Sequence, residues 1–228
     1  MIAMTGVADP FRDGMTAFEK GEFARAATNF HAAVTAQPAS GALVNLGLAE
    51  WRRGRAGAAV AAWERALWLD PANAAARNNL RYARQFAEIG EPEWTWYEAA
   101  STWLPSGTWA LAGGMSLWSA VALMTVPGLL RWRKAVWPQA LAAASLCVFL
   151  LCVPAHIGIL TRAKMGFVLE KKVPLRLTPT EEAERVATLG AGEPVRKIGA
   201  LGEYYLIRTQ QGTGWVERTR VGMISSDP

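Results

Sequence analysis

The spacing of hydrophobic positions changes character twice along this 228-residue chain. From residue 9 to about 90, apolar residues recur every three or four positions between glycines and prolines, which predicts several short amphipathic helices. From Ala99 to Thr161 the polar positions nearly vanish. Only the stretch Arg131-Trp132-Arg133-Lys134 carries charge there. Beyond Lys164, short apolar runs alternate with turn residues, which predicts strands.

The helical region repeats itself. At a constant offset of 33 positions, Gly14 matches Gly47, Gly21 matches Gly54 and Ala26 matches Ala59. Phe30 matches Trp63, Ala33 matches Ala66, and Pro38 matches Pro71 at the same offset. Each type has a task in a helix pair. The first glycine lets two helices approach, and the second closes the first helix at a turn. The alanines keep the helix contact tight, and the aromatic fills the gap between neighbouring hairpins. The proline stops the second helix from continuing. Asp13 stands where the second copy has Leu46. A third helix, Asn73 to about Glu88, has no matching second helix and is expected to cap the array.

This pattern resembles the tetratricopeptide repeat. The resemblance implies an all-α solenoid over 9–90 whose first helices line a concave, protein-binding groove. Carried over by register, that groove comprises Phe11, Met15, Phe18, Val44, Leu48, Trp51, Asn78 and Tyr82. It lacks the Lys/Arg set with which some members of the family clamp a peptide carboxylate. Two readings stand for these side chains, a docking surface or the core of a short solenoid.

A membrane span needs about 20 apolar residues. Two fit, at 108–130 and 136–160, joined by a basic loop at 131–135. A soluble helix of that length would carry a polar stripe, and neither does. Trp94, Trp96, Tyr97, Trp103 and Trp109 precede the first span, and Trp132 and Trp137 sit at the loop, as in interfacial aromatic belts. The stretch 91–107 therefore reads as an aromatic and acidic interfacial linker. Gly113-Gly114 and the Ala140/Ala144 pair offer small faces for helix contact. His156 near the end of the second span is expected at the interface, with a functional role as the alternative.

The C-terminal region predicts strands at 168–170, 173–177, 187–189, 194–198, 203–209 and 213–217, with Leu175 and Leu177 on one face. So many short strands in about 60 residues predict a small barrel. Leu175-Arg176, Pro179, Leu189, Gly192-Glu193, Tyr204-Tyr205-Leu206-Ile207-Arg208 and Gly212-Thr213-Gly214-Trp215-Val216 resemble the bacterial SH3 family, over 166–226. The resemblance implies an extracytoplasmic SH3-like barrel that binds cell-wall peptides or protein segments. By family position, Tyr204 and Trp215 are the candidates for an exposed ligand-binding ledge. The alternative is that both pack the barrel.

Charge refines the topology. Residues 1–98 carry 10 Lys+Arg and 11 Asp+Glu, residues 99–162 carry 4 and none, and residues 163–228 carry 10 and 8. The basic excess flanks the apolar middle, which suits lipid headgroups and argues against nucleic acid. A basic loop against an approach containing Glu88, Glu91, Glu93 and Glu98 favours the loop in the cytoplasm and both soluble parts outside. Arg162, Lys164, Lys171 and Lys172 weigh against it. Met1–Pro10 shows no signal peptide, and residues 5–10 read like the region after a cleavage site, so the start is expected to lie upstream. Cys147 and Cys152 fall on different helical faces, which argues against a disulfide. No nucleophile–base pair, phosphate loop or Cys/His cluster is visible, so neither catalytic residues, a metal nor a cofactor is expected.

The order of parts, a repeat domain, a hairpin of two spans and a bacterial SH3 domain, resembles the BatE-type proteins of aerotolerance operons. That resemblance implies a multidomain protein of the bacterial inner membrane. Its role would be a non-catalytic protein–protein interaction scaffold in an envelope stress complex. The implied partners are membrane proteins with von Willebrand A domains, a MoxR-type ATPase system and the lipid bilayer. The competing expectation is an accessory subunit of a transport or cell-wall-binding assembly.

Overall fold

The computed structural model describes residues 9–87, 89–129 and 136–225. The basic loop at 131–135, the first eight residues and Glu88 lie outside them. Two compact units result, Met1–Pro92 with Ala163–Pro228, and Glu93–Arg162.

In the first unit the sequence repeat becomes two helical hairpins, α1 (Pro10–Glu19) with α2 (Phe23–Ala36) and α3 (Ser40–Arg52) with α4 (Ala56–Leu69), followed by α5 (Ala74–Ala87). The two turns are copies at the level of single bonds. Gly21 and Gly54 both adopt φ of +75°, a region that costs other residues about 1–2 kcal/mol. Their amides donate to Phe18 O and Trp51 O, and the next amides donate to Ala17 O and Glu50 O. The aromatic of each hairpin packs over the first glycine of that hairpin. The Phe30 ring lies 2.7 Å from where a Gly14 Cβ would stand, and the Trp63 indole occupies the same place over Gly47. Trp63 Nε1 donates to Val44 O at 3.2 Å. Asn73 caps α5 by accepting from Ala76 N and also donates to Ser40 Oγ.

The C-terminal strands are β1 (Met165–Val168), β2 (Val173–Arg176), β3 (Arg185–Leu189), β4 (Pro194–Leu201), β5 (Tyr204–Thr209), β6 (Gly212–Glu217) and β7 (Val221–Met223). They form one antiparallel sheet in the order β3-β2-β6-β5-β4-β1-β7. The sheet is SH3-like but not closed into the expected barrel, since β3 and β7 remain its edges. Three expectations are corrected. The first strand lies earlier than 168–170, β7 was not foreseen, and Leu177 is 60% exposed while Leu175 is buried. β2 ends at Arg176, so its alternation of faces does not extend to Leu177, and beside it the register skips Val186 of β3. Val168, Val173, Leu175, Leu189, Val195, Ile207 and Val216 form the core of the sheet.

Helix α4 packs on β1 and β7. A Cβ on Gly57 would collide with the carbonyl oxygens of Val168 and Leu169, and the Ala61 Cβ lies 3.1 Å from where one on Gly222 would stand. Opposite faces of one alanine-rich helix thus serve the hairpin (Ala59, Trp63, Ala66) and the sheet (Gly57, Ala61).

The second unit contains α6 (Trp96–Ser101), α7 (Ser106–Leu129) and α8 (Trp137–Arg162). The last two are long and apolar enough to cross a membrane, with mean hydropathies of 1.4 and 2.2. They pack antiparallel, Gly113 against His156 and Cys152. Gly113 is the small residue at this contact, whereas Gly114, Ala140 and Ala144 are exposed, and Gly158 of α8 instead lies against Tyr97 and Ser101 of α6. His156 Nδ1 lies 2.9 Å from Cys152 O, in its own helix. The expected linker holds the short helix α6, capped by Thr95 and Glu98. Glu98 is 1% and Arg162 5% exposed. Arg162 donates to Ser101 Oγ at 3.1 Å and stacks 5.2 Å over Trp94.

Candidate functional site

The first helix of each repeat contributes to one surface of the helical part. Asn45 of α3 reaches the Met15 sulfur of α1 at 3.6 Å. Trp51 of α3 meets Tyr82 of α5 at 6.0 Å between ring centroids. The eight groove candidates divide by burial. Val44 is buried and belongs to the hairpin core. Met15, Phe18, Leu48 and Trp51 are half-buried, and Phe11, Asn78 and Tyr82 are exposed. Phe11 packs on Phe30 at 5.8 Å and Phe18 on Phe23 at 5.3 Å, so both also brace their own hairpin.

The α5 end gathers the densest aromatic group. Tyr82 and Phe86 stack at 5.9 Å with an interplanar angle of 14°. Trp51 stands nearly perpendicular to both, at 71° and 72°. Tyr82 is nevertheless 57% exposed and Phe86 71%. Phe86 was missed in the sequence. Its i, i+4 relation to Tyr82 was the available signal, because that spacing places both rings on one helical face.

On the sheet, strand alternation sends Tyr205 and Ile207 inward and Tyr204, Leu206 and Arg208 outward. Trp215 sits directly opposite Leu206 on β6 and opposite Arg176 on β2. Tyr204 and Trp215 thus share the outer face, both half-buried, with Leu201 and Ile198 exposed nearby. Tyr205, by contrast, is held between Lys197 Nζ at 4.8 Å and the Arg218 guanidinium at 5.0 Å. Glu217 accepts from Arg220 Nε at 2.9 Å, and this bond raises the Arg220 pKa. Desolvation lowers that of Arg65. Among the described residues, no group of three His, Cys, Asp or Glu side chains is placed to hold a metal ion.

Residues 171–221 match the family model of the bacterial SH3 domain. The match begins at the β1–β2 turn and ends at the first residue of β7. No curated protein matches the chain, and no solved structure does.

Proposed function

We propose that this chain is a membrane-anchored, non-catalytic protein–protein interaction scaffold of the bacterial envelope. The observation that carries the reading is the aromatic trio Trp51, Tyr82 and Phe86, in which Tyr82 and Phe86 are exposed and Trp51 is half-buried beneath them. Solvent-facing rings held rigid by one another suit a hot spot, because they offer large contact area at little entropic cost. The bacterial SH3 domain supports the reading, as a protein-binding or cell-wall-binding module. The two apolar helices supply the anchor. Their outward side chains, among them Leu111, Met115, Trp118, Leu151 and Leu160, are exposed, which suits contact with lipid.

In the finer reading the helical hairpins are tetratricopeptide repeats, and the chain is of the BatE type. It then works beside von Willebrand A domain proteins and a MoxR-type ATPase, in the inner membrane with both soluble parts outside the cytoplasm. The SH3 outer face around Trp215 and Leu206 favours a second reading, in which the chain is an accessory of a cell-wall-binding assembly.

The test replaces Tyr82 by a photo-crosslinking amino acid in the full chain in its own membranes. Crosslinking to a discrete protein that is lost in a Trp51→Ala/Phe86→Ala background is the expected result. Absence of any protein adduct at Tyr82, with the chain correctly inserted, overturns the scaffold reading.

A further inference from the structure

The sheet starts almost where the second apolar helix stops. Helix α8 has 26 residues, about 39 Å at 1.5 Å per residue, against a hydrocarbon core of about 30 Å. A span of that length reaches into the headgroup layer. Lys164 follows its last residue, Arg162, by two positions, a reach of about 7 Å. We propose that Lys164, Lys197 and Arg218 form a site for the phosphate of an anionic phospholipid headgroup. The inference rests on the membrane-anchor part of the proposed function and adds a ligand for the sheet.

Three cations converge from three segments of the sheet. Lys197 N donates to Lys164 O at 2.8 Å, which carries the β1–β4 register one step past the Met165–Arg196 pair. Lys164 and Lys197 are thus direct cross-strand neighbours on one face. Their Cβ atoms lie about 5 Å apart, and like charges so placed repel. Lys197 Nζ and the Arg218 guanidinium stand 4.8 and 5.0 Å from the centre of the Tyr205 ring, so they are no more than about 10 Å from each other. Tyr205 belongs to the buried core of the sheet, which fixes the ring. Its negative faces hold the two cations in place without neutralising them.

Lys164 and Arg218 are exposed and make no ion pair among the described residues. Glu203 meets Arg218 through its backbone carbonyl, which accepts from Arg218 N at 2.9 Å, and not through its carboxylate. Glu217, the residue before Arg218, is engaged with Arg220. Like charges gathered in this way are relieved by an anion that meets several of them at once. Phosphate does so through more than one oxygen. The guanidinium fork takes two in parallel, and an ammonium takes one as a point charge. The phospholipid diester is favoured over a free anion for two reasons. An anionic bilayer surface attracts each Lys or Arg close to it, and the short connection to α8 keeps the local concentration of headgroups high.

The probes are dioctanoyl phosphatidylglycerol and dioctanoyl phosphatidylcholine, titrated against the full chain in a non-ionic detergent, with native mass spectrometry counting the retained lipid. The expected result is saturable binding of phosphatidylglycerol, about tenfold tighter than phosphatidylcholine. Lys164→Gln/Arg218→Gln should abolish that preference. Lys171→Gln/Lys172→Gln removes the same charge from the turn at the far end of β1 and should keep it. Circular dichroism checks that both variants fold. Should the first fail to fold, Arg218→Gln alone is read, with an expected loss of about threefold. Equal binding of the two lipids overturns the proposal. So does an equal loss in both double variants, because net charge rather than a site would then attract the lipid. Inorganic phosphate that displaces the lipid at equal concentration makes a free anion the ligand and overturns it as well. Flotation with vesicles of pure phosphatidylcholine separates this inference from the reading beneath it. A chain that floats yet shows no headgroup preference keeps its anchor and loses the site. A chain that does not float loses the anchor, and the lipid site with it.

Discussion

Gly47 and Gly54 are both glycine for different reasons, and the two make separable predictions. At Gly54 nothing lies near a would-be Cβ, and the constraint is the φ of +75° alone. Gly54→Ala should therefore cost about 1–2 kcal/mol through backbone strain. At Gly47 the helix is ordinary, but a methyl group would enter the Trp63 indole. Gly47→Ala forces the ring to shift and break its bond to Val44 O, and overpacking of this kind costs about 1–3 kcal/mol. Chemical denaturation followed by tryptophan fluorescence distinguishes them. Only Gly47→Ala should change the native emission spectrum, since only it moves an indole. These glycines were legible as conserved spacing within one chain. Glu98 and Arg162 were not legible, because nothing in a charged letter says whether water or protein surrounds it. Their burial removes one charge from each side of the topology argument.

At the scale of elements, α4 decides how the first unit is assembled. Its Gly57 meets main-chain carbonyls of β1 and the residue after it, and those cannot swing aside as a flexible side chain would. Gly57→Val should separate the helix from the sheet without unfolding either. Hydrogen exchange is expected to rise at Met165–Val168 and Val221–Met223, while α3 and the α4 amides facing it stay protected. Uniform loss of protection throughout the unit would mean that helices and sheet fold only together. The hairpins were visible in advance because their signals are local, a turn glycine and a small–large–small helix pattern. The docking of α4 on β1 was not. In a run such as Ala56-Gly57-Ala58-Ala59-Val60-Ala61-Ala62, every face is small and apolar, so periodicity cannot say which face meets which partner.

For the whole molecule, the packing of α4 on β1 and β7 carries a topological consequence. The helices precede the apolar pair in sequence and the sheet follows it, so both soluble parts of this unit must lie on one side of any bilayer. Either both apolar helices cross or neither does. With both crossing, the proposed orientation puts the SH3 domain outside the cytoplasm. A cysteine at Thr180, in the exposed loop between β2 and β3, should react with a membrane-impermeant maleimide in cells whose inner membrane is intact, under a Cys147→Ser/Cys152→Ser background. Reaction only after that membrane is ruptured reverses the orientation.

Sequence alone determined the kind of the main elements: a repeated helical pair, two long apolar helices and a run of short strands with a Gly-Thr-Gly-Trp turn, without the short helix α6 and the strand β7. Those properties follow from periodicity, chain stiffness and turn chemistry, which act over a few residues. Tertiary structure alone decided that the sheet stays open and that the repeat and the SH3 domain share one body. Contacts between residues more than a hundred positions apart depend on shape complementarity between finished surfaces, and no short stretch of sequence encodes that.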